Sequence, residues 1–255
     1  MTLPRVVAAE TLDHLAPTDP VARRSRRDLA RIHRVMATRS VVARGWQSLV
    51  SAQRAAAPLK VLEIGAGDGT LLLGVARRLA ATWPRVQLTL LDRLPVVSPA
   101  TLAAYAGLGW SATVQIADVL DWAAPVAGLA RTQPGPPWDL ISTSLFLHHF
   151  EGAQLDAVLA AVATHALRFF ACEPRRAWLA LAGSHLVGAL GVNAVTRADA
   201  VLSVHAGFRA QELSARWPGK GLLGKGLPGD ASWQCQEFAA GLFSHCFSAQ
   251  RDGVS

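Results

Sequence analysis

The sequence predicts an α/β fold, a mostly parallel sheet with helices on both faces, and three observations carry the prediction. Near-continuous apolar runs alternate with helical runs, as they do when parallel strands are covered on both sides. The first apolar run, 60–64, passes through a glycine-rich turn into a helical run, 70–79. Acidic and polar residues gather where successive strands end, and ligands of open α/β sheets bind at those carboxyl ends. With 255 residues, 51% of them hydrophobic and 17% charged, the chain can bury a core in one domain plus an appendage, and disorder is not expected.

Two amphipathic helices precede the sheet. Apolar residues recur at Leu29, Ile32 and Met36 within 21–39, and again at Val42, Trp46, Leu49 and Val50 after Ser40, which is read as an N-cap. A turn at 55–58 leads to the first strand. The second strand, 85–91, ends at Asp92; Ser98-Pro99 then caps a helix that stops near Gly109. A third strand, 112–117, ends at Asp118, and the Pro/Gly-rich 133–137 leads into a fourth, 138–144. Helix 152–165 and strand 168–172 follow. The segment 177–213 is too long for an ordinary crossover and is read as a helical insertion over the active-site edge, its apolar stretch 177–195 a buried or lid helix rather than a membrane span. After the glycine-rich 219–229, runs 233–238 and 242–249 flank an Ala-Ala-Gly turn and suit an antiparallel hairpin. The expected organisation is an N-terminal helical cap, 1–56, and a core, 57–255, with the insertion at about 175–230.

Charge and cysteine usage narrow the setting. The net charge of +7 comes from 22 arginines against three lysines, with Arg23, Arg24, Arg26, Arg27, Arg31 and Arg34 close together. Such a helix is a solvated face, or it meets a phosphate backbone, an anionic membrane surface or an acidic carrier protein. Cys172, Cys235 and Cys246 show no metal-site spacing, and residues 1–10 have no signal-peptide pattern. A cytoplasmic location without a structural metal or transmembrane segment is expected.

The turn is the most informative segment. Val61 to Gly69 reads Val-Leu-Glu-Ile-Gly-Ala-Gly-Asp-Gly. Gly65, Gly67 and Gly69 fall at G-x-G-x-G with Glu63 two residues ahead, whereas a dinucleotide fingerprint is G-x-G-x-x-G. Asp92 lies 23 residues past Gly69, where an acid can accept both hydroxyls of a ribose. Asp118 ends the next strand, with Asp121 as its competitor.

On these residues the chain resembles the class I S-adenosylmethionine (SAM)-dependent methyltransferases of small-molecule type, over 60–172 and more loosely the terminal hairpin. The resemblance implies a Rossmann-like sheet of seven strands in the order 3-2-1-4-5-7-6. It implies SAM as cofactor and S-adenosylhomocysteine (SAH) as product, with no metal. Glu63, Gly65, Ala66 and Gly67 would hold the methionine part, Asp92 the ribose, and Asp118 with Val119 the adenine; Arg93 and Ser142 complete the cofactor-binding set. That strand ends in Leu147-His148-His149, which resembles the Leu-His-Asp-Trp segment of O-methyltransferases whose first histidine is the base. Carried over, the candidate base is His148; His149, which stands in place of the aspartate, is the second catalytic candidate, and a SAM-pocket or structural role is the alternative. The Asn/Asp-Pro-Pro-Tyr/Phe sequence of amino-group methyltransferases is absent. So is an evident paired-acid loop, since Glu173 is followed by proline and arginines.

The expected reaction is methyl transfer to a small hydrophobic or aromatic acceptor, O-methylation first, C-methylation of a quinone or polyketide ring second, and RNA methylation a distant third. A nucleic-acid partner is not expected, peripheral membrane contact stays open, and the oligomeric state is not legible. Trp46, Trp178, Leu181, His185, Leu186 and Leu190 are candidate acceptor lining, with core packing as the alternative for the tryptophans. His185 is expected to be a satisfied core histidine, and His245 to pack within the hairpin.

Overall fold

The computed structural model describes residues 3–50, 57–124, 138–218 and 232–254. Among these residues seven strands form one sheet in the order β3-β2-β1-β4-β5-β7-β6, the order the resemblance implies. These are β1 Leu59–Ile64, β2 Val86–Asp92, β3 Trp110–Ile116, β4 Leu140–Ser144, β5 Arg168–Pro174, β6 Trp233–Ala240 and β7 Ser244–Arg251. The first five are parallel, and β7 runs antiparallel to both β5 and β6. The sheet order therefore reverses beside β1 and β4, which is where an α/β sheet opens a crevice.

The helices are α1 Pro20–Val35, α2 Thr38–Leu49, α3 Thr70–Leu79, α4 Pro99–Ala106, α5 Val119–Ala123, α6 Gly152–His165, α7 Trp178–Leu186 and α8 Ala194–Ala206. Two apolar layers result, one on each face of the sheet. On one face Val61, Leu88 and Phe170 pack with Val42, Trp46, Leu72 and Tyr105; on the other Leu62, Ile64 and Phe169 pack with Leu155, Leu159 and Trp217. Neighbouring strand residues thus serve opposite layers, which is why these strands read as continuous apolar runs.

Several local expectations are corrected. Ser40 is not an N-cap: the break between α1 and α2 falls at Ala37, whose left-handed φ of 54° turns the chain, and Ser40 N–H already donates to the Ala37 carbonyl at 2.9 Å. A short helix, α5, starts where none was expected, because the Asp118 carboxylate caps it by accepting from Leu120 N–H at 2.8 Å. The hairpin turns at Gly241, φ 74°, so Leu242 belongs to the turn and Ala239 and Ala240 to β6. Residues 55–56 of the expected first turn, the run 133–137 and the stretch 219–229 lie outside the described residues.

Between β5 and β6 stand α7, a 3-10 turn Val187–Leu190 and α8. The N-terminal segment is tied onto this insertion over a long sequence distance. Arg5 donates to the carbonyls of Ala206 and Phe150, both at 2.8 Å, and lies 4.4 Å from the centre of the Phe208 ring. Asp199 accepts from the N–H groups of Thr11 and Leu12 at 2.9 and 3.0 Å. These bonds carry Glu10 across the carboxyl end of the sheet.

Candidate active site

A cavity of about 900 Å³ lies over the carboxyl ends of β1, β2 and β4. Single-ligand pockets run from about 300 to 1,000 Å³, so this one has room for a cofactor and an acceptor together. One side is built by the glycine turn. Gly65 needs its φ of 73° and its missing side chain, since a Cβ there would stand 2.2 Å from the Phe146 ring. At Gly67, φ 55°, a Cβ would meet nothing within 4 Å among the described residues: the backbone is bare toward the cavity. Ala66 and Val119 also line it.

Three acids at or just beyond the carboxyl ends of β1, β2 and β3 converge there. Glu63 is 2% exposed, and burial pushes its carboxyl up to about 7 against the neighbouring Ser142 and Ser144 hydroxyls. Its Oε2 has no hydrogen-bond partner among the described residues. Asp92 accepts from Gly67 N–H at 2.7 Å and Leu94 N–H at 2.9 Å, which fixes the turn against β2. Asp118 lines the cavity and Asp121 does not. Arg93 lines it as well and donates to the Asp13 carbonyl at 2.6 Å. Ser142 stands behind this layer: it is fully buried, accepts from Trp46 Nε1 at 3.2 Å, and is not part of the cavity wall.

Opposite the glycine turn, β4 ends in strained backbone. Leu145 has a φ of 57° and donates to the Cys172 carbonyl at 2.8 Å, and the chain enters a 3-10 turn, Leu147–His149. Glu173, fully buried at the end of β5, holds this turn. Its Oε1 accepts from the N–H groups of Phe146 (3.1 Å) and Leu147 (3.0 Å), and its Oε2 from His148 N–H (3.3 Å) and His148 Nδ1 (2.8 Å). On the other side of the ring, Nε2 lies 3.3 Å from Glu10 Oε1.

His148 is 2% exposed. Burial alone would lower its pKa, but the hydrogen bonds to Glu10 and Glu173 outweigh it and hold the imidazole at about 9. Burial opposes ionisation of Glu10 too, yet His148 and His149 keep its carboxyl well below the usual range. The His149 ring lies 4.2 Å from that of His148, tilted by 33°, its Nδ1 2.9 Å from the Phe146 carbonyl and its Nε2 3.4 Å from Asp13 Oδ2. The donors of Glu10, His148 and His149 lie within 4.8 Å of one another, close enough for a cation. Both His148 nitrogens already face carboxylates, however, and a proton satisfies that arrangement.

The apolar wall of the cavity differs from expectation. Leu186 and Leu190 line the cavity with Leu29, Ile32, Met36 and Val187, but Trp46, Trp178, Leu181 and His185 do not. Trp46 is fully buried, stacked 5.7 Å from Trp83 and 6.4 Å from Trp110; Trp178 is 58% exposed. Leu181 packs inward with Ala180 and Val204, and His185 is exposed rather than a core histidine. His245 is buried in the hairpin as expected, with Nε2 2.8 Å from Glu237 Oε1. Sequence reasoning missed Glu173 and Glu10. Glu173 had a readable signal, an acid ending a parallel strand beside β4, whereas Glu10 sits 138 residues from its partner with none.

Solved structures share this architecture. The plantazolicin methyltransferase BpumL in complex with SAH matches with a TM-score of 0.57 at 14% identity over 91% of each chain. Its complex with a triazolic desmethylPZN analog and SAH matches with 0.57 at 13%, over 91% of this chain and 92% of that one. An O-methyltransferase family protein from Burkholderia thailandensis matches with 0.54 at 15%, over 93% of this chain and 62% of its own. The chain has the class I methyltransferase fold. The sequence matches no protein-family model and no curated protein. Ligands of open α/β sheets bind in the crevice where the strand order reverses, here beside β1 and β4, and the residues there have the chemistry to fit a SAM-like group. The unpartnered Glu63 oxygen suits an ammonium donor, and the open space at Gly67 admits a close ligand.

Proposed function

We propose that the protein is a SAM-dependent methyltransferase that transfers a methyl group to a hydroxyl of a small, largely apolar acceptor. One observation carries this reading: a single cavity is lined by the glycine turn and its three acids on one side and by His148 on the other, with apolar walls between. Structural neighbours solved with SAH support the choice of ligand. Bound SAM supplies a methyl group already activated as a sulfonium. Glu63, Gly65, Ala66 and Gly67 would hold its amino-acid end, Asp92 and Arg93 its ribose, and Asp118 with Val119 its adenine; Ser142 would act behind Glu63 as a support.

The chain's own contribution is orientation and proton removal. With Glu10 in place, His148 is flanked by two carboxylates and held protonated. An acceptor hydroxyl that displaces Glu10 lets the Nε2 proton leave with the Glu10 carboxyl, so Glu173 alone remains, on Nδ1, and the imidazole, neutral and bare at Nε2, falls toward its ordinary range. Nε2 then takes the hydroxyl proton, while Glu173 keeps the ring in the tautomer that allows it. His149, bonded to the Phe146 carbonyl, fixes the turn beside it.

Incubation with methyl-labelled SAM and a panel of phenols and hydroxyquinones tests the reading. Label on oxygen is expected. Label on a ring carbon instead would transfer the same site to C-methylation, and no SAH binding would remove the reading altogether.

A further inference from the structure

One edge of the fold, where the insertion meets α1, leaves large apolar side chains in solvent. Trp178 is 58% exposed, Leu179 66%, Leu186 70% and Leu190 39%. Positions 179, 182, 186 and 190 recur at helical spacing, so α7 and the turn after it carry a second apolar stripe opposite the one packed on Leu3 and Val204. Patches of this kind mark interaction surfaces. Leu186 and Leu190 also line the cavity, as does Val35, 63% exposed at the end of α1. The rim of the cavity is therefore apolar and open to whatever covers this face.

The neighbouring helix supplies charge. Arg24, Arg27, Arg31 and Arg34 recur at spacings of three and four on the exposed side of α1. Asp28, the only acid in the helix, is turned inward to accept from Asn193 N–H at 2.9 Å, while its Oδ1 pairs with Arg31 at 3.2 Å. Arg24 reaches the Gly191 carbonyl at 3.4 Å, one residue beyond Leu190, and so joins the arginine stripe to the apolar patch. An apolar stripe bordered by arginines is the composition of a helix that lies in a membrane interface.

We propose that this face docks on an anionic bilayer and that the acceptor is an amphiphile which enters the cavity from it, hydroxylated head toward His148 and apolar tail toward Leu186 and Leu190. The docking stands by itself; the orientation of the acceptor rests on the methyl-transfer reading. An RNA would use the arginines and leave the leucines in water. A second copy on the same patch would cover the leucines but set arginine against arginine. A bilayer with anionic headgroups satisfies both, and the contact is peripheral, since no helix among the described residues is long and apolar enough to cross a membrane.

Cosedimentation of the full chain with phosphatidylcholine vesicles, plain or with about 30% phosphatidylglycerol, tests the proposal, and about tenfold stronger partition onto the anionic vesicles is expected. Leu179→Asp and the pair Arg27→Glu with Arg34→Glu should each lower partition about fivefold or more, with SAH affinity in the same preparations as the separate check on the cofactor site. Wild-type tryptophan fluorescence should be quenched by brominated lipid, and the quenching should fall in Trp178→Phe. Four results overturn the docking: equal partition on both vesicles, no partition, loss with the arginine pair but not with Leu179→Asp, or a solution dimer that Leu179→Asp dissociates. For the acceptor, a phenol with a long alkyl chain carried in anionic vesicles should turn over faster than its short-chain analogue in solution; equal rates overturn that half.

Discussion

Glu173→Gln keeps the size of the side chain and removes one charge from the centre of the site. Four bonds converge on Glu173, two at each oxygen, and an amide has one oxygen that accepts. If that oxygen keeps the Phe146 and Leu147 N–H groups, the amide nitrogen faces His148 N–H and Nδ1. The buried backbone N–H loses its acceptor, at a cost of about 1 to 3 kcal/mol, and the charge-assisted ring bond goes, at a further 1.5 to 3 kcal/mol or so. The ring must also change tautomer, with Nδ1 accepting from the amide and Nε2 carrying the proton, so Nε2 can no longer take one from the acceptor. Loss of the orienting carboxylate in this way costs about 10²- to 10⁴-fold in turnover. Turnover with labelled SAM across pH 6 to 9.5, SAH calorimetry and thermal unfolding measure the three effects. Turnover within threefold or so of wild type, in a protein that is folded and binds SAH, would refute the assignment of Glu173 as the residue that positions His148.

Other expectations are shorter to state. Asp92→Ala should weaken SAH binding by about 1 to 3 kcal/mol, because lost charge-assisted bonds to ligand add to a loosened Gly67 turn; unchanged affinity in calorimetry would move the ribose elsewhere. Gly67→Ala places a Cβ in the cavity at a φ of 55°, so SAH affinity should fall by more than the roughly 1 to 2 kcal/mol of folding stability that a left-handed alanine costs. The folded pKa of His148, about 9, lies above its ordinary value, so its contribution to stability is complete below about pH 6.5 and is lost as pH rises through 9, by at most about 3 kcal/mol. Denaturant midpoints in His148→Ala should lack that decline. A chelator should leave turnover unchanged, because both His148 nitrogens already face carboxylates; reactivation by added zinc after chelation would contradict this.

What the sequence disclosed was local. The run from Leu59 to Leu79 needs only an apolar strand, glycines that tolerate positive φ and an amphipathic helix, all within one stretch of chain, and the structure reproduces it to within a residue. Asp92 was readable because it ends β2, and Asp118 because it follows β3 within two residues, as the cap of α5. The polar network around His148 was not, because its members come from β5, from the 3-10 turn after β4 and from a segment near the N-terminus held by Arg5 and Asp199. Trp46 misled for the same reason. Its helical spacing shows an apolar face, but only the distant Trp83 and Trp110 decide that the face meets the core rather than the cavity. Ser40 misled through composition, since a serine before an apolar run resembles a cap whatever the backbone does at Ala37.

Calorimetry of the full chain with SAH, beside NAD as the comparator, bears most directly on the claim that the glycine turn and its three acids form a SAM site. The account predicts saturable one-site binding of SAH, weakened by Asp92→Ala, and no heat with NAD. Binding of NAD without SAH, or of neither, would contradict it.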